Sequence, residues 1–151
     1  MKTKPIPEGY HSITPYLATA DAAKAIEFYK NAFGAIERLR MPGPGGKIMH
    51  AELQFCDSVV MLADEFPEIG HKSPKAFGGT PVSIMFYVND VDAVFKQATA
   101  CGAEVKRPIE NQFYGDRTGT LVDPFGHVWS VATHIEDVSP EDMQRRMSAL
   151  K

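Results

Sequence analysis

Ile13-Thr-Pro-Tyr-Leu-Ala-Thr19 and Val82-Ser-Ile-Met-Phe-Tyr-Val88 are short apolar strand sequences, and each opens a copy of one unit. Two residues after each strand stands an aspartate, Asp21 or Asp90. A stretch of helical period then runs to a glycine, Gly34 or Gly102. Each copy closes on an apolar run, Ser58-Val-Val-Met-Leu-Ala63 and His127-Val-Trp-Ser-Val-Ala132. Residues 13–63 and 82–132 therefore read as a duplication. A repeated strand–helix–strands unit predicts two modules about a pseudo-two-fold axis, with corresponding positions facing each other.

Periodicity fills in each copy. Ala22 to Phe33 sets Ala25, Ile26, Phe28, Tyr29, Ala32 and Phe33 at helical spacings, with Asp21 as N-cap and Gly34 as stop. Val91 to Cys101 repeats this between Asp90 and Gly102. Strand-compatible segments follow, Ala35 to Arg40 and Ala103 to Pro108. Pro42-Gly-Pro-Gly-Gly46 reads as a loop, Lys47 to Phe55 alternates as a strand, and Cys56-Asp57 is a tight turn. Asp123-Pro-Phe-Gly126 suits a type I turn. Each module thus reads βαβββ, and the fold class is α+β. The expected organisation is an N-terminal module over residues 1–65, a Pro- and Gly-bearing linker over 66–80, a second module over 81–134, and a terminal helix within 135–151. Ser139 caps that helix, with Met143, Met147 and Leu150 as its apolar stripe.

Bulk properties narrow the partners. A net charge of −3 and a pI near 5.9 give no basic face, so nucleic acid is not an expected partner. No apolar run approaches a membrane span, and Met1-Lys-Thr-Lys-Pro-Ile-Pro-Glu8 lacks an apolar signal core. A cytoplasmic protein without membrane attachment is expected. Cys56 and Cys101 show no ligand or disulfide spacing and read as two reduced, buried thiols. No nucleophile-elbow or phosphate-loop motif is present.

The openings Leu17-Ala-Thr-Ala-Asp21 and Val88-Asn-Asp-Val-Asp92 and the close Thr120-Leu-Val-Asp-Pro-Phe-Gly-His-Val-Trp129 resemble the vicinal-oxygen-chelate superfamily. That superfamily includes glyoxalase I, fosfomycin- and bleomycin-resistance proteins and extradiol dioxygenases. Phe113 to His127, continued by Trp129 to His134, and His50-Ala-Glu52 followed by Ser58 to Glu65, are similar to its PhnB-like group. The resemblance implies a curved sheet around a cup shared by the modules, a small-molecule ligand and a homodimer. Enzymes of the superfamily hold one divalent ion with His, Gln or Glu side chains from the first and last strands of each module. By register those positions here are Thr14, Met61, Ser83 and Ser130, and both within-module pairs are 47 residues apart. Hydroxyls and a thioether do not replace imidazole and carboxylate around such an ion. Neither a metal nor another cofactor is expected, and no catalytic residue is assigned.

The remaining candidates follow from alternation. In the implied cup, Tyr16 accompanies Thr14, Met85 and Tyr87 accompany Ser83, Val59 accompanies Met61, and Val128 accompanies Ser130. That is an apolar, aromatic lining with a few hydroxyls. His50 and Glu52 share one strand face with ligand-like spacing but lack a visible third partner. His11 falls on the opposite face, His71 is expected in solvent, His127 beside a turn, and His134 at a strand end. Tyr114, Asp116 and Arg117 form a second cluster, placed between strands, where Arg117 either ties a loop or pairs with a carboxylate or phosphonate. Trp129 is expected to pack under a helix, and Asp64-Glu65 to be solvated. Two functions remain: metal-free binding of a small organic molecule, and a lyase, isomerase or dioxygenase-type enzyme with a non-standard site at His50 and Glu52.

Overall fold

The computed structural model describes residues 2–150. The chain divides between Thr80 and Pro81 into two compact units, so the expected linker belongs with the first. The first unit contains β1 (Tyr16–Thr19), α1 (Ala22–Phe33), β2 (Ile36–Pro42), β3 (Ile48–Phe55) and β4 (Ser58–Asp64). Its sheet has the order β1-β4-β3-β2, with β1 parallel to β4 and the other pairs antiparallel. The second contains β5 (Ser83–Tyr87), α2 (Val91–Ala100), β6 (Glu104–Asn111), β7 (Asp116–Val122) and β8 (Val128–His134), followed by α3 (Pro140–Ser148). Its order, β5-β8-β7-β6, is the same topology again. The α+β reading with tandem βαβββ modules is correct.

The duplicated sequence signals do the same physical work twice. Asp21 accepts from Lys24 N and Asp90 from Ala93 N, each at 3.0 Å, satisfying donors that a helix leaves open. The first helical N–H is taken by the last strand: Ala22 N donates to Asp64 Oδ1 at 2.8 Å, and Val91 N to Thr133 Oγ1 at 2.9 Å. Gly34 ends α1 at φ 68, a left-handed conformation that glycine adopts without a Cβ clash. Each core lies between one helix and one sheet face. Ala25, Ile26 and Tyr29 are buried with Leu53, Phe55 and Leu62, while Val91, Phe95 and Ala98 are buried with Leu121, Trp129 and Val131. Trp129 is on the α2 side as expected, and its Nε1–H donates to Asp123 Oδ2 at 2.9 Å.

Several expectations are corrected. β1 begins at Tyr16 because Pro15 has no N–H to give the ladder, although its carbonyl accepts from Met61 N at 2.9 Å. Asp64 is buried, not solvated, and also accepts from Ile48 N at 2.6 Å; Glu65 accepts from Ser73 N at 2.7 Å. A carboxylate can be buried there because backbone donors surround it. Cys56 is exposed, with φ 52 in the β3–β4 turn, and Cys101 is partly exposed at the end of α2, so neither is a core thiol. Asp116 and Arg117 open β7 and do not lie between strands. Helix α3 has its Ser139 cap but no buried side chain; Arg146 ties it down through Glu136 at 2.6 and 2.9 Å and through the Phe113 carbonyl at 3.1 Å. Among the described residues, no helix is long and apolar enough to cross a membrane.

Candidate functional site

Strand register places the candidate residues. Leu39, Glu52, Met61 and Tyr16 are partners in one row across the first sheet. The corresponding row of the second sheet is Arg107, Thr120, Ser130 and Met85. Register partners share a sheet face, and alternate residues take opposite faces. Leu53, Leu62, Leu121 and Trp129 occupy the helix-covered faces, so these rows lie on the open faces, where Tyr16 is 47% and Met85 48% exposed. His50 joins the first open face, and Ser83 and Tyr87 the second. Thr14 precedes β1 and is outside the ladder.

On the first unit, Tyr16 Oη lies 2.7 Å from His50 Nδ1, and His50 Nε2 lies 3.1 Å from Glu52 Oε1. An ionised carboxylate only accepts, which places a proton on Nε2; in the neutral ring Nδ1 then accepts from the Tyr16 hydroxyl. Glu52 is also bonded by the Tyr10 phenol, whose ring lies under Arg38 at 5.2 Å. Burial, and then the bond to Glu52, push Tyr10 up to about 12. Burial and the Glu52 charge raise Tyr16. Burial pushes Glu52 upward, but bonds from Tyr10 and His50 and the nearby cations outweigh it and hold the carboxyl below its ordinary value. At neutral pH the phenols are protonated and Glu52 is ionised, giving a hydrogen-bonded chain anchored on a negative end.

Beside Tyr16 opens a cavity of about 580 Å³, walled by Met49, Ala63, Phe66, Ile69 and His71. His71 is not in open solvent, contrary to the sequence expectation. A bridge between Phe66 and His71 folds the segment back, and the His71 ring meets Tyr16 edge-on at 5.5 Å between centroids. Its Nε2 is buried without a hydrogen-bond partner among the described residues. Phe66, Ile69 and His71 were not legible as a wall, because their stretch reads only as a Pro- and Gly-bearing connection. Met49 was hidden by the register shift of β2 on β3 between Met41 and Pro42.

On the second unit, Tyr87 Oη donates to Asp116 Oδ2 at 2.7 Å. Asp116 Oδ1 lies 2.7 Å from His134 Nδ1, and His134 Nε2 lies 2.8 Å from Asp137 Oδ1. The bonds to Asp116 and Asp137 raise the His134 pKa, and the bond to Asp116, with burial, raises Tyr87. Arg117 is not brought to this face. It lies on the helix side, forked onto Asp92 at 2.8 and 2.8 Å and bonded to Asn111 Oδ1 at 3.0 Å, so it ties β7 to α2. Tyr114 reaches a separate cavity of about 270 Å³ together with Met85, Arg107, Gln112, Thr120 and Ser130. Arg107 escapes simple alternation because the β6–β7 register shifts around it.

The donor set at Thr14, Met61, Ser83 and Ser130 does not fit a divalent ion, since it offers hydroxyls and a thioether with no imidazole or carboxylate. Among the described residues, no three His, Cys, Asp or Glu side chains gather where they could hold one. His50 and Glu52 bond to each other instead.

The family model described as Glyoxalase/Bleomycin resistance protein/Dioxygenase superfamily matches residues 9–131. An uncharacterized protein of Mycobacterium tuberculosis (strain ATCC 25618 / H37Rv), Rv0887c, is 45% identical over 141 residues, covering 91% of this chain and 83% of its own length. Among solved structures, TioX from Micromonospora sp. ML1 superposes with a TM-score of 0.66 at 28% identity, over 83% of this chain and 99% of that one. PhnB protein from Bacillus cereus shares the fold with a TM-score of 0.64 at 18% identity, over 82% of this chain and 99% of that one.

Proposed function

This chain belongs to the glyoxalase/bleomycin resistance protein/dioxygenase superfamily, and from that premise we propose that it is a PhnB-like member that binds a small organic molecule without a metal. It acts in this reading as a cytoplasmic homodimer. The observation that carries the proposal is the cavity of about 580 Å³ beside Tyr16. Met49, Ala63, Phe66 and Ile69 supply apolar wall, while Tyr16 and His71 supply polar groups that fix orientation. Methionine adapts its shape to irregular ligands, which suits such a wall.

The Tyr16–His50–Glu52 chain favours a second reading, a lyase or isomerase that moves a proton. Glu52 orients the imidazole, and the imidazole addresses the phenol nearest the cavity, the arrangement general acid–base catalysis requires. Elemental analysis of freshly purified protein, followed by titration with Zn, Ni, Mn and Fe(II), tests the metal-free reading. No stoichiometric uptake is expected. Uptake that tracks with an activity and disappears in His50→Ala or Glu52→Ala would replace it with a metalloenzyme.

A further inference from the structure

The duplication put a guanidinium where its other copy has a leucine. Arg107 occupies the row position of Leu39. In the second unit Arg117 is paired with Asp92, Arg145 with Asp142 and Arg146 with Glu136. The Arg107 side chain has no ion pair or hydrogen bond among the described residues, yet it lines the cavity of about 270 Å³. Glu110 lines the same cavity and is likewise unpaired, and the two do not bond to each other. Gln112 and Tyr114 line it too, and neither the Gln112 side-chain amide nor the Tyr114 hydroxyl has a hydrogen-bond partner among the described residues. Thr120 and Ser130 bond to each other at 3.2 Å, which uses one hydroxyl proton and leaves the other free.

We propose that this cavity binds a small zwitterion, a molecule carrying both a carboxylate and an ammonium group. The carboxylate lies on Arg107, whose planar fork matches it bidentately, with Gln112 and Tyr114 as further donors. The ammonium lies toward Glu110. A simple anion gains Arg107 but faces the unpaired charge of Glu110; a simple cation meets the reverse. Only a ligand with both charges matches both walls. The volume sets the size: at roughly 30 Å³ per water it holds the equivalent of about nine waters, so the ligand is of amino-acid dimensions. The site is separate from the cavity beside Tyr16 and does not depend on the reading given to that one.

The test is an NMR titration of the ¹⁵N-labelled full chain at neutral pH. Glycine, β-alanine and 4-aminobutyrate are the probes, with acetate and methylammonium as the two half-ligands. At least one zwitterion is expected to saturate the amide shifts of β6, β7 and β8 around the cavity, about tenfold more tightly than either half-ligand. Arg107→Gln and Glu110→Gln should each weaken it by about tenfold or more. Both side chains are exposed on an edge strand, so an unchanged melting curve confirms that the variants fold. Three results overturn the proposal: no zwitterion saturating below about 20 mM, acetate binding as tightly as the zwitterions, or affinity unchanged in Arg107→Gln.

Discussion

Tyr16 Oη and His50 Nδ1 meet at 2.7 Å across the open face of the first sheet, joining β1 to β3 over the intervening β4. The bond commits His50 to one tautomer, with its proton on the nitrogen that faces Glu52. In the neutral ring the imidazole ¹⁵N spectrum is therefore expected to show Nε2 protonated and Nδ1 bare, and Glu52→Gln should disturb that assignment. A spectrum of the opposite tautomer in the natural protein would remove the relay.

Tyr16→Ala should weaken binding of an apolar aromatic probe, 1-anilinonaphthalene-8-sulfonate, by about tenfold, with the far-ultraviolet dichroism unchanged. The side chain is half exposed and closes one wall of the cavity, so its loss acts on the ligand and not on the core. Fluorescence titration reads the affinity. Equal affinity in both proteins would place the probe elsewhere.

Asp64→Ala should destabilise the protein by about 3 kcal/mol, because two backbone donors, Ala22 N and Ile48 N, lose a charged acceptor inside the protein. Urea denaturation measures it. Thr133→Val removes the corresponding acceptor of α2 together with the bond that Thr133 Oγ1 donates to the Val88 carbonyl; both are neutral bonds, so the change should cost less, about 2 kcal/mol.

His134 gains partners in the fold, so its folded pKa lies above its unfolded value. The stability it adds is fully present below the unfolded value of about 6.5 and is lost as pH rises through the raised folded value. The stability difference between the natural protein and His134→Gln should therefore be largest in mild acid and shrink toward alkaline pH. Denaturation at a series of pH values checks this; a difference that grows with pH would contradict it.

Light scattering should report twice the 16.7 kDa chain mass at micromolar concentration. Met85 and Tyr87 stand half exposed on an open sheet face, and Met147 on α3 is equally uncovered, surfaces that a second copy can cover. A monomer mass would contradict the homodimer.

The duplicated topology was legible in the sequence because it rests on local signals. Asp21 and Asp90 start the helices, Gly34 stops one, and two-residue alternation marks the strands; each depends on neighbours only a few positions away. Alternation also put Tyr16, His50, Glu52, Met61, Met85 and Ser130 on the right faces. What alternation cannot carry is a change of register. The shifts in β2–β3 and β6–β7 brought Met49 and Arg107 to cavity walls that counting by two did not assign them. Pairing over long sequence separations decided the rest. Asp64 is buried because the first turn of α1 offers it an N–H, Arg117 faces α2 because Asp92 waits there, and His71 reaches Tyr16 because a bridge to Phe66 folds its segment back. The identity of each residue is written in the chain, but its partner is set by tertiary packing, where hydrogen-bond satisfaction of buried groups outweighs the polarity that a single residue displays.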